Sequence, residues 1–573
     1  MIADGGDLIT RMSAPAHPGT EASARVGAQA VVEGLFRAGI TRGFGIPSIH
    51  NIAIYEGLRQ VKSFRHWVVR HEQAAGFAAD GFYRQSGRVA AVFASTGPGN
   101  LFTLVPLLES LQSNIPVLVI GTNIASALQQ NAGGALHETP QQIEIVRPLT
   151  RYARRVTTAD EIPLTFSEVA AMLHGPAPGP AFIEIAHDLL AAPLTGRGSG
   201  QEFRTPEPVP ALPDELANVE KLIAQSRKPI ILVGSGASKA SEKVRKFAEY
   251  LRAPVLTTTT GKGIFPADHP LAFGCISRLG AVQEALDESD LLISFGVRLS
   301  EFDTGRFGLR FPKLHLQIVE SAAYPGTRFS ATQVVTGEIG RIAAEMLNEQ
   351  NQPRDAWLEV ATALDREQQR VGGLNSDAYA ALRILRNALD RHDVVANDQS
   401  ILNYWASAFF PVLEPRSFLY PAGSGTLGYG LPAALGAACA IREAGTQQKV
   451  VCFAGDGGFQ YTLHELATLK QYDLPVKILL VNDQAYGVIG FLQRSVFGQT
   501  YEVDLRNPDF CSLAEAYGIR ADHASTLQEL EGKLSSWLQS PGPALLEWRT
   551  VLKAPWEVGA IPRPTGISMK EQR

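Results

Sequence analysis

The residues of this chain best placed to do chemistry lie late in the sequence, where two apolar runs each end in a carboxylate. Val450-Val451-Cys452-Phe453-Ala454 runs into Gly455-Asp456-Gly457-Gly458-Phe459, and Val476-Lys477-Ile478-Leu479-Leu480-Val481 runs into Asn482-Asp483. Short apolar runs of this kind read as buried parallel strands, and open α/β sheets bind ligands beyond the carboxyl ends of their strands. Asp456 and Asp483 are therefore expected to face one crevice. Two side-chain oxygens, with carbonyls and glycine N–H groups nearby, suit a hard divalent cation and a phosphate, and the lack of clustered Cys and His argues against zinc. Gly457 and Gly458 let an anion approach closely and are expected to open a helix carrying Leu463, Leu466, Ala467 and Leu469 on one face. Taken alone, Asp456 reads first as a helix cap.

Two further segments weigh against the cap. Upstream stands Val68-Val69-Arg70-His71-Glu72-Gln73-Ala74-Ala75-Gly76, followed by Thr96-Gly97-Pro98-Gly99-Asn100; downstream stands Gly423-Ser424-Gly425-Thr426-Leu427-Gly428-Tyr429-Gly430. Singly, these read as a solvated strand-to-helix junction and a Gly-rich loop packing a helix on a sheet. Together with Gly455 to Gly458 and Asn482-Asp483-Gln484-Ala485-Tyr486-Gly487, they resemble the motifs of thiamine diphosphate (ThDP) enzymes.

The resemblance implies a set of roles. Glu72 would be the carboxyl that pairs with the cofactor's aminopyrimidine ring and so drives loss of the thiazolium C2 proton, with Gly97 and Asn100 in the loop beside it. Leu427 would wedge the cofactor into its V shape and the Gly425 carbonyl would accept from the pyrimidine amino group. Asp456, Asp483 and the Ala485 carbonyl would hold Mg²⁺, with Gly457, Gly458 and Tyr486 around the diphosphate. The family more often has Asn where this chain has Asp483, which adds one formal negative charge; Asp remains a suitable ligand for a hard cation.

The elements that must position these residues are legible from spacing. A chain of 573 residues exceeds one core. Apolar strand-like runs such as Val89 to Ala94 and Val117 to Ile120 alternate with helical patterns, as in parallel α/β layers. The expected organisation is a loose tail over 1–24, a pyrimidine-binding domain over 25–190, a Gly/Pro-rich linker over 191–211 and a central domain over 212–347. A polar linker over 348–374, a diphosphate-binding domain over 375–555 and a C-terminal tail over 556–573 follow. The fold class is α/β, with three doubly wound parallel-sheet domains. This order resembles the acetolactate synthase and pyruvate decarboxylase branch of the family, in which the first domain of one subunit meets the last domain of another. The resemblance thus implies a homodimer or homotetramer with Glu72 and Asp456 acting in trans.

Composition narrows the partners. Formal net charge is −5 with no long basic run, so nothing points to nucleic acid. No apolar run approaches a membrane span. Cys275, Cys439, Cys452 and Cys511 are scattered in apolar surroundings and read as buried thiols of a cytoplasmic protein. In the central domain Gly234-Ser235-Gly236 follows a strand. Some family members bind FAD there as a structural group, but this turn lacks the full dinucleotide fingerprint, which weighs against FAD.

Reaction type is read near the reactive carbon. By resemblance, acetolactate synthases place a Gln, a carboxylate-binding Arg and a Trp where this chain has His137, Phe302 and Leu492. A Phe cannot replace paired guanidinium hydrogen bonds. Gly45-Ile46-Pro47-Ser48-Ile49-His50-Asn51 and Leu136-His137-Glu138-Thr139-Pro140 are instead similar to a subgroup that includes 2-ketoarginine decarboxylases. The expectation is non-oxidative decarboxylation of a 2-oxo acid to an aldehyde through an enamine, with His50 and His137 handling protons or orienting the substrate. The alternative is an acetolactate-synthase-like carboligase or a 2-hydroxyacyl lyase.

Overall fold

The computed structural model describes residues 25–129, 133–196, 213–278, 280–321, 328–347 and 355–562. The expected tail over 1–24, most of the first linker, residues 348–354 of the second and residues 563–573 lie outside the described residues.

Three six-stranded sheets, parallel throughout, carry the chain. The first comprises β1 (Arg42–Gly45), β2 (Arg65–Val68), β3 (Ala91–Ala94), β4 (Leu118–Asn123), β5 (Tyr152–Val156) and β6 (Ala181–Ala186), in the order β2-β1-β3-β4-β6-β5. The second comprises β7 (Pro229–Val233), β8 (Val255–Thr257), β9 (Ala272–Cys275), β10 (Leu291–Phe295), β11 (Leu314–Val319) and β12 (Gln333–Thr336), in the order β12-β11-β10-β7-β8-β9. The third comprises β13 (Val394–Asn397), β14 (Phe418–Leu419), β15 (Val450–Gly455), β16 (Val476–Asn482), β17 (Arg520–Ala524) and β18 (Ala544–Arg549), in the order β14-β13-β15-β16-β18-β17. The first sheet and its helices form one compact unit, and the second and third sheets form another.

Within the third sheet the central strands are buried on both faces, which accounts for their unbroken apolar sequence. Val451 pairs with Lys477 and Gly455 with Val481 in register. Lys477 is the one charge in that run. Its ammonium donates to the carbonyls of Ser540 and Gly542, both at 2.6 Å, and burial lowers its pKa to about 8. One face of the sheet is covered by the helix Gly430–Ala444, whose small residues let it pack closely and which is buried along its first twelve positions.

Two cations of the second sheet's loops join it to the third. Lys262 Nζ donates to the carbonyls of Ala406 and Phe410 at 2.7 and 3.0 Å, and Arg278 Nε to that of Ala408 at 3.2 Å. These carbonyls lie at the C-terminal end of the helix Ile401–Phe409, where the backbone leaves acceptors unused and the helix dipole favours positive charge. Burial pushes Lys262 down to about 7.

Several expectations shift. The second linker contains a helix, Val360–Gly372, with Trp357, Leu358 and Leu364 packed on the core of the second sheet, because its polar sequence hides a one-sided apolar stripe. The expected C-terminal tail begins inside the third sheet's core, where Trp556 and Ala560 are buried. Cys275, Cys439 and Cys452 are buried, but Cys511 is only partly so and lies 3.6 Å from a Glu547 oxygen; burial and that carboxylate push its thiol up to about 12. Among the described residues no helix is long and apolar enough to cross a membrane.

Candidate active site

The order β14-β13-β15-β16 sets four loops side by side at one edge of the third sheet. Asp456 follows β15 directly and Asp483 follows β16 directly, as the apolar runs predict. The two carboxylates interact: burial, and then the charge of Asp456, push Asp483 up to about 7, and burial raises Asp456 as well. Asn507, which the sequence reading missed, donates from Nδ2 to Asp456 Oδ2 and to Asn482 Oδ1 at 2.9 Å. Among the described residues no cationic side chain pairs with either aspartate, and no group of three or more His, Cys, Asp or Glu side chains is set to hold a metal. Two desolvated carboxylates without a counter-charge are the donor set of a hard divalent cation whose remaining ligands are backbone or ligand oxygens.

The glycines around this pair are places where a side chain would collide. A Cβ at Gly457 would lie 2.7 Å from the ring of Tyr486, one at Gly487 would lie 2.5 Å from Asp483 Oδ2, and one at Gly458 would lie 2.8 Å from Asp398 Oδ1 and 3.4 Å from Leu427 Cδ2. Tyr486 and Leu427 thus close over the GDGG turn from opposite loops. The turn itself differs from expectation. Asp456–Phe459 is a single helical turn, and the chain breaks before a 3₁₀ turn (Leu463–Glu465) and the helix Leu466–Gln471, so only Leu466 and Leu469 of the predicted face are buried. Ala485 is held by a bridge to Asp504, with the Tyr486 N–H donating to the Val503 carbonyl at 2.8 Å.

Asp398, at the end of β13, organises this edge and was missed in the sequence. It accepts from the backbone N–H groups of Gln399, Gly428 and Gly430 at 2.7, 3.1 and 3.1 Å, tying the loop that carries Gly425 and Leu427 to the GDGG turn. Gly425 and Gly428 take φ of +63° and +80°, in the left-handed region that favours glycine. The available signal was an Asn-Asp pair ending an apolar run, the same pattern as Asn482-Asp483.

At the matching edge of the first sheet, Glu72 opens the helix Glu72–Ser86 and is 8% exposed. A Cβ on Gly99 would fall 2.7 Å from Glu72 Oε1, so the loop after β3 lies directly against this carboxyl. Asn100 is fully buried, donates to the Thr122 carbonyl at 2.8 Å and leaves Oδ1 without a partner. The Gly97 N–H donates to Gln142 Oε1 at 3.2 Å; Gln142 in turn binds Glu184, which Asn123 and Arg155 also contact. Asn100 is therefore a brace inside a buried polar network.

His50 and His137 converge, with ring centres 5.3 Å apart, and a third histidine, His187, stands 5.3 Å from His50 on its other side. Burial, then the two neighbouring imidazoles, lower His50 to about 4. The His137 carbonyl packs on Gly97, where a Cβ would approach it to 2.5 Å. His187 went unnoticed because a lone His at a strand end carries no pattern.

Other candidate regions are less suited. The second sheet has the 3-2-1-4-5-6 order of dinucleotide-binding folds, with its switch point between β7 and β10. There, however, the Gly236 N–H already donates to the Gly296 carbonyl at 3.2 Å, and Gly234 packs on the same carbonyl, so the turn closes on protein backbone. Phe302 lies 5.3 Å from Tyr420 and 6.4 Å from Tyr404, ring centre to ring centre, and Leu492 packs on the third sheet's core. A cleft of about 710 Å³ beside the helices Gly280–Glu288 and Val360–Gly372 contains none of the predicted site residues.

Comparison with known proteins shows the family of the three domains. Three family models match: thiamine pyrophosphate enzyme, N-terminal TPP binding domain, over residues 25–145; the central domain of the same enzymes over 216–349; and their C-terminal TPP binding domain over 398–548. A protein from Pseudomonas aeruginosa named "Probable 2-ketoarginine decarboxylase AruI" is 32% identical, covering 91% of this chain and 93% of its own. A "Probable acetolactate synthase large subunit" from Methanocaldococcus jannaschii is 30% identical, covering 91% of each. A crystal structure titled "X-ray structure of a putative thiamin diphosphate-dependent enzyme isolated from Mycobacterium smegmatis" superposes with a TM-score of 0.78 at 22% identity over 92% of this chain and all of its own, a likeness of fold.

Proposed function

This chain belongs to the thiamine pyrophosphate enzyme family, and on that premise we propose that it removes CO₂ from a 2-oxo acid without oxidation, releasing an aldehyde. The observation that carries this reading is the approach of His50 and His137 to 5.3 Å beside the Gly97 loop. Decarboxylation consumes one proton per turnover, since the electron pair left on the carbonyl carbon must become a C–H bond, and imidazole handles protons near neutral pH. Phe302 favours the same outcome over carboligation, because its ring, packed on Tyr420, offers no guanidinium to an acceptor carboxylate at that position.

Bound ThDP supplies the electron sink for CO₂ loss. The chain's residues hold it and move protons. Asp456, Asp483 and the Ala485 carbonyl would ligate a divalent cation, Mg²⁺ being the best fit to an all-oxygen set. Gly457, Gly458 and Tyr486 would border the diphosphate, while Leu427 and Gly425 would shape the cofactor from the loop tied down by Asp398. Glu72, little exposed and pressed by Gly99, would present its carboxyl to the aminopyrimidine ring; Gly97 and Asn100 fix the loop that confines it. FAD is not part of this reading.

Active sites formed between subunits of a homodimer or homotetramer suit this division of groups between the first and third sheets. Phe102, Val105 and Leu108, exposed at three-residue spacing on the first sheet's unit, offer an apolar strip for a second copy.

The test is incubation of the purified protein with ThDP, Mg²⁺ and a panel of 2-oxo acids headed by 2-ketoarginine, identifying products as well as CO₂. Equimolar CO₂ and aldehyde is the expected result. An acyloin or 2-acetolactate-type product would replace this reading with the carboligase.

A further inference from the structure

His187 has no place in the motifs of the sequence, yet it completes a row. His50 follows β1, His137 lies in the loop after β4 and His187 begins the helix His187–Ala191 after β6. His50 is the middle member, its ring 5.3 Å from each neighbour and inclined at 85° to His137 and 66° to His187. His50 Nδ1 is buried and has no hydrogen-bond partner. A buried ring nitrogen left unpaired is costly unless a transient partner serves it.

The two ends of the row differ. His137 adjoins the loop of Gly97, and two residues further along that loop Gly99 adjoins the Glu72 carboxyl. His187 is at the other end. The turn it sits in is anchored by its neighbour Asp188, which accepts from the N–H and hydroxyl of Ser126 at 3.0 and 3.1 Å. The titratable groups that bear on His50 are His187 and His137, and both oppose its protonation. A proton on either neighbour therefore opposes one on His50.

We propose that His187 is the outer member of a proton relay that runs from His187 through His50 to His137 and resupplies the proton consumed in each decarboxylation. The proposal rests on the decarboxylase reading above. The C–CO₂ bond breaks with its electrons left on the carbonyl carbon, His137 gives a proton to that carbon, and the row is refilled from solvent through His187. Transfer between rings takes place by rotation of the His50 ring or through one intervening water that pairs with its open Nδ1. His187 acts through its neighbours and is a positioning residue of the site.

The test compares His187→Gln and His187→Ala with the parent holoenzyme. Expected are a fall in kcat of ~10-fold with KM unchanged, within the range of general acid–base contributions, and recovery in His187→Ala on addition of free imidazole. Exchange of the cofactor C2 proton, which reads Glu72, is expected to stay at the parent rate. A second arm needs no turnover: the rate at which diethyl pyrocarbonate modifies His50 in the cofactor-free protein, followed by peptide mapping against pH. Its midpoint should move up in both variants, toward the ordinary imidazole value. An unchanged kcat in both variants overturns the relay, as does a loss that imidazole does not rescue and that tracks a lowered Tm. If the parent makes no aldehyde, the decarboxylase reading fails, while the modification midpoint still decides whether His187 governs His50.

Discussion

The first and third sheets share one strand order, 2-1-3-4-6-5 when each is counted from its own first strand, yet their functional edges carry opposite chemistry. The first presents imidazoles and the Glu72 carboxyl beside a buried polar network that includes the Glu184–Arg155 pair; the third presents a pair of aspartates and a ring of glycines. Topology therefore decides where loops gather, and loop residues decide what gathers there. The second sheet sharpens the point, since its dinucleotide-type order comes with a turn closed on its own backbone.

The largest expected effect separates the two edges outright. Glu72→Gln should slow exchange of the cofactor's C2 proton by ~10³-fold while leaving cation binding by the third sheet intact, as read by isotope exchange beside calorimetric titration with Mg²⁺. Exchange at the parent rate would remove Glu72 from its role. Asp456→Ala should do the reverse, weakening cation and cofactor binding by ~10²-fold, as one charge-assisted ligand is lost; unchanged titration would show that the aspartate pair is only structural.

Gly99→Ala probes the first edge with one methyl group. Its Cβ would stand 2.7 Å from Glu72 Oε1 and 2.9 Å from Ser95 Cβ, so the carboxyl must move. A ~10-fold drop in C2 exchange with little change in Tm is expected, misplacement of a catalytic group being costly. Lys262→Met tests the seam between second and third sheets. The freed carbonyls of Ala406 and Phe410 should cost about 1–3 kcal/mol, seen in denaturant unfolding as a shift confined to the transition of that unit.

The most gradual effect is one of pH. His66, in the first sheet, and His315, in the second, are each lowered by burial from 6.5 to about 4. Between these values the unfolded chain binds protons that the folded chain refuses, so stability is full above pH 6.5 and falls as the pH drops toward 4. The slope is at most ~1.4 kcal/mol per pH unit for each histidine. Urea melts at pH 6.5, 5.5 and 4.5 should show this slope in both units, and His66→Gln should lessen it in the first alone, where His50, also lowered to about 4, keeps the remainder.

Legibility in the sequence varied with the kind of signal. Asp456 and Asp483 were readable because an apolar run followed by a carboxylate has one structural meaning in a parallel sheet, and both do follow their strands directly. The Gly425 to Gly430 loop was readable from its glycines; Asp398, which ties it down through the Gly428 and Gly430 N–H groups, went unread although Asn397-Asp398 ends its strand as Asn482-Asp483 ends β16, because the glycine partners it serves lie some thirty residues away. Asn507 lies 51 residues from the Asp456 it binds, and no local rule links them. Trp556 and Ala560 read as tail because a short segment without periodicity shows no partner until the core receives it.

By itself the sequence determined the strand ends that carry the carboxylates, because an unbroken apolar run ended by a carboxylate is a local pattern, and through its resemblance to a known family it implied the cofactor class. Tertiary structure alone decided which loops meet. The non-sequential order β14-β13-β15-β16 sets Asp398, Leu427 and Gly458 against one another, and the converging loops after β1, β4 and β6 bring His187 to His50. It also decided the state of those groups, since burial and neighbouring charge, which no sequence pattern records, hold His50 neutral and raise the aspartate pair.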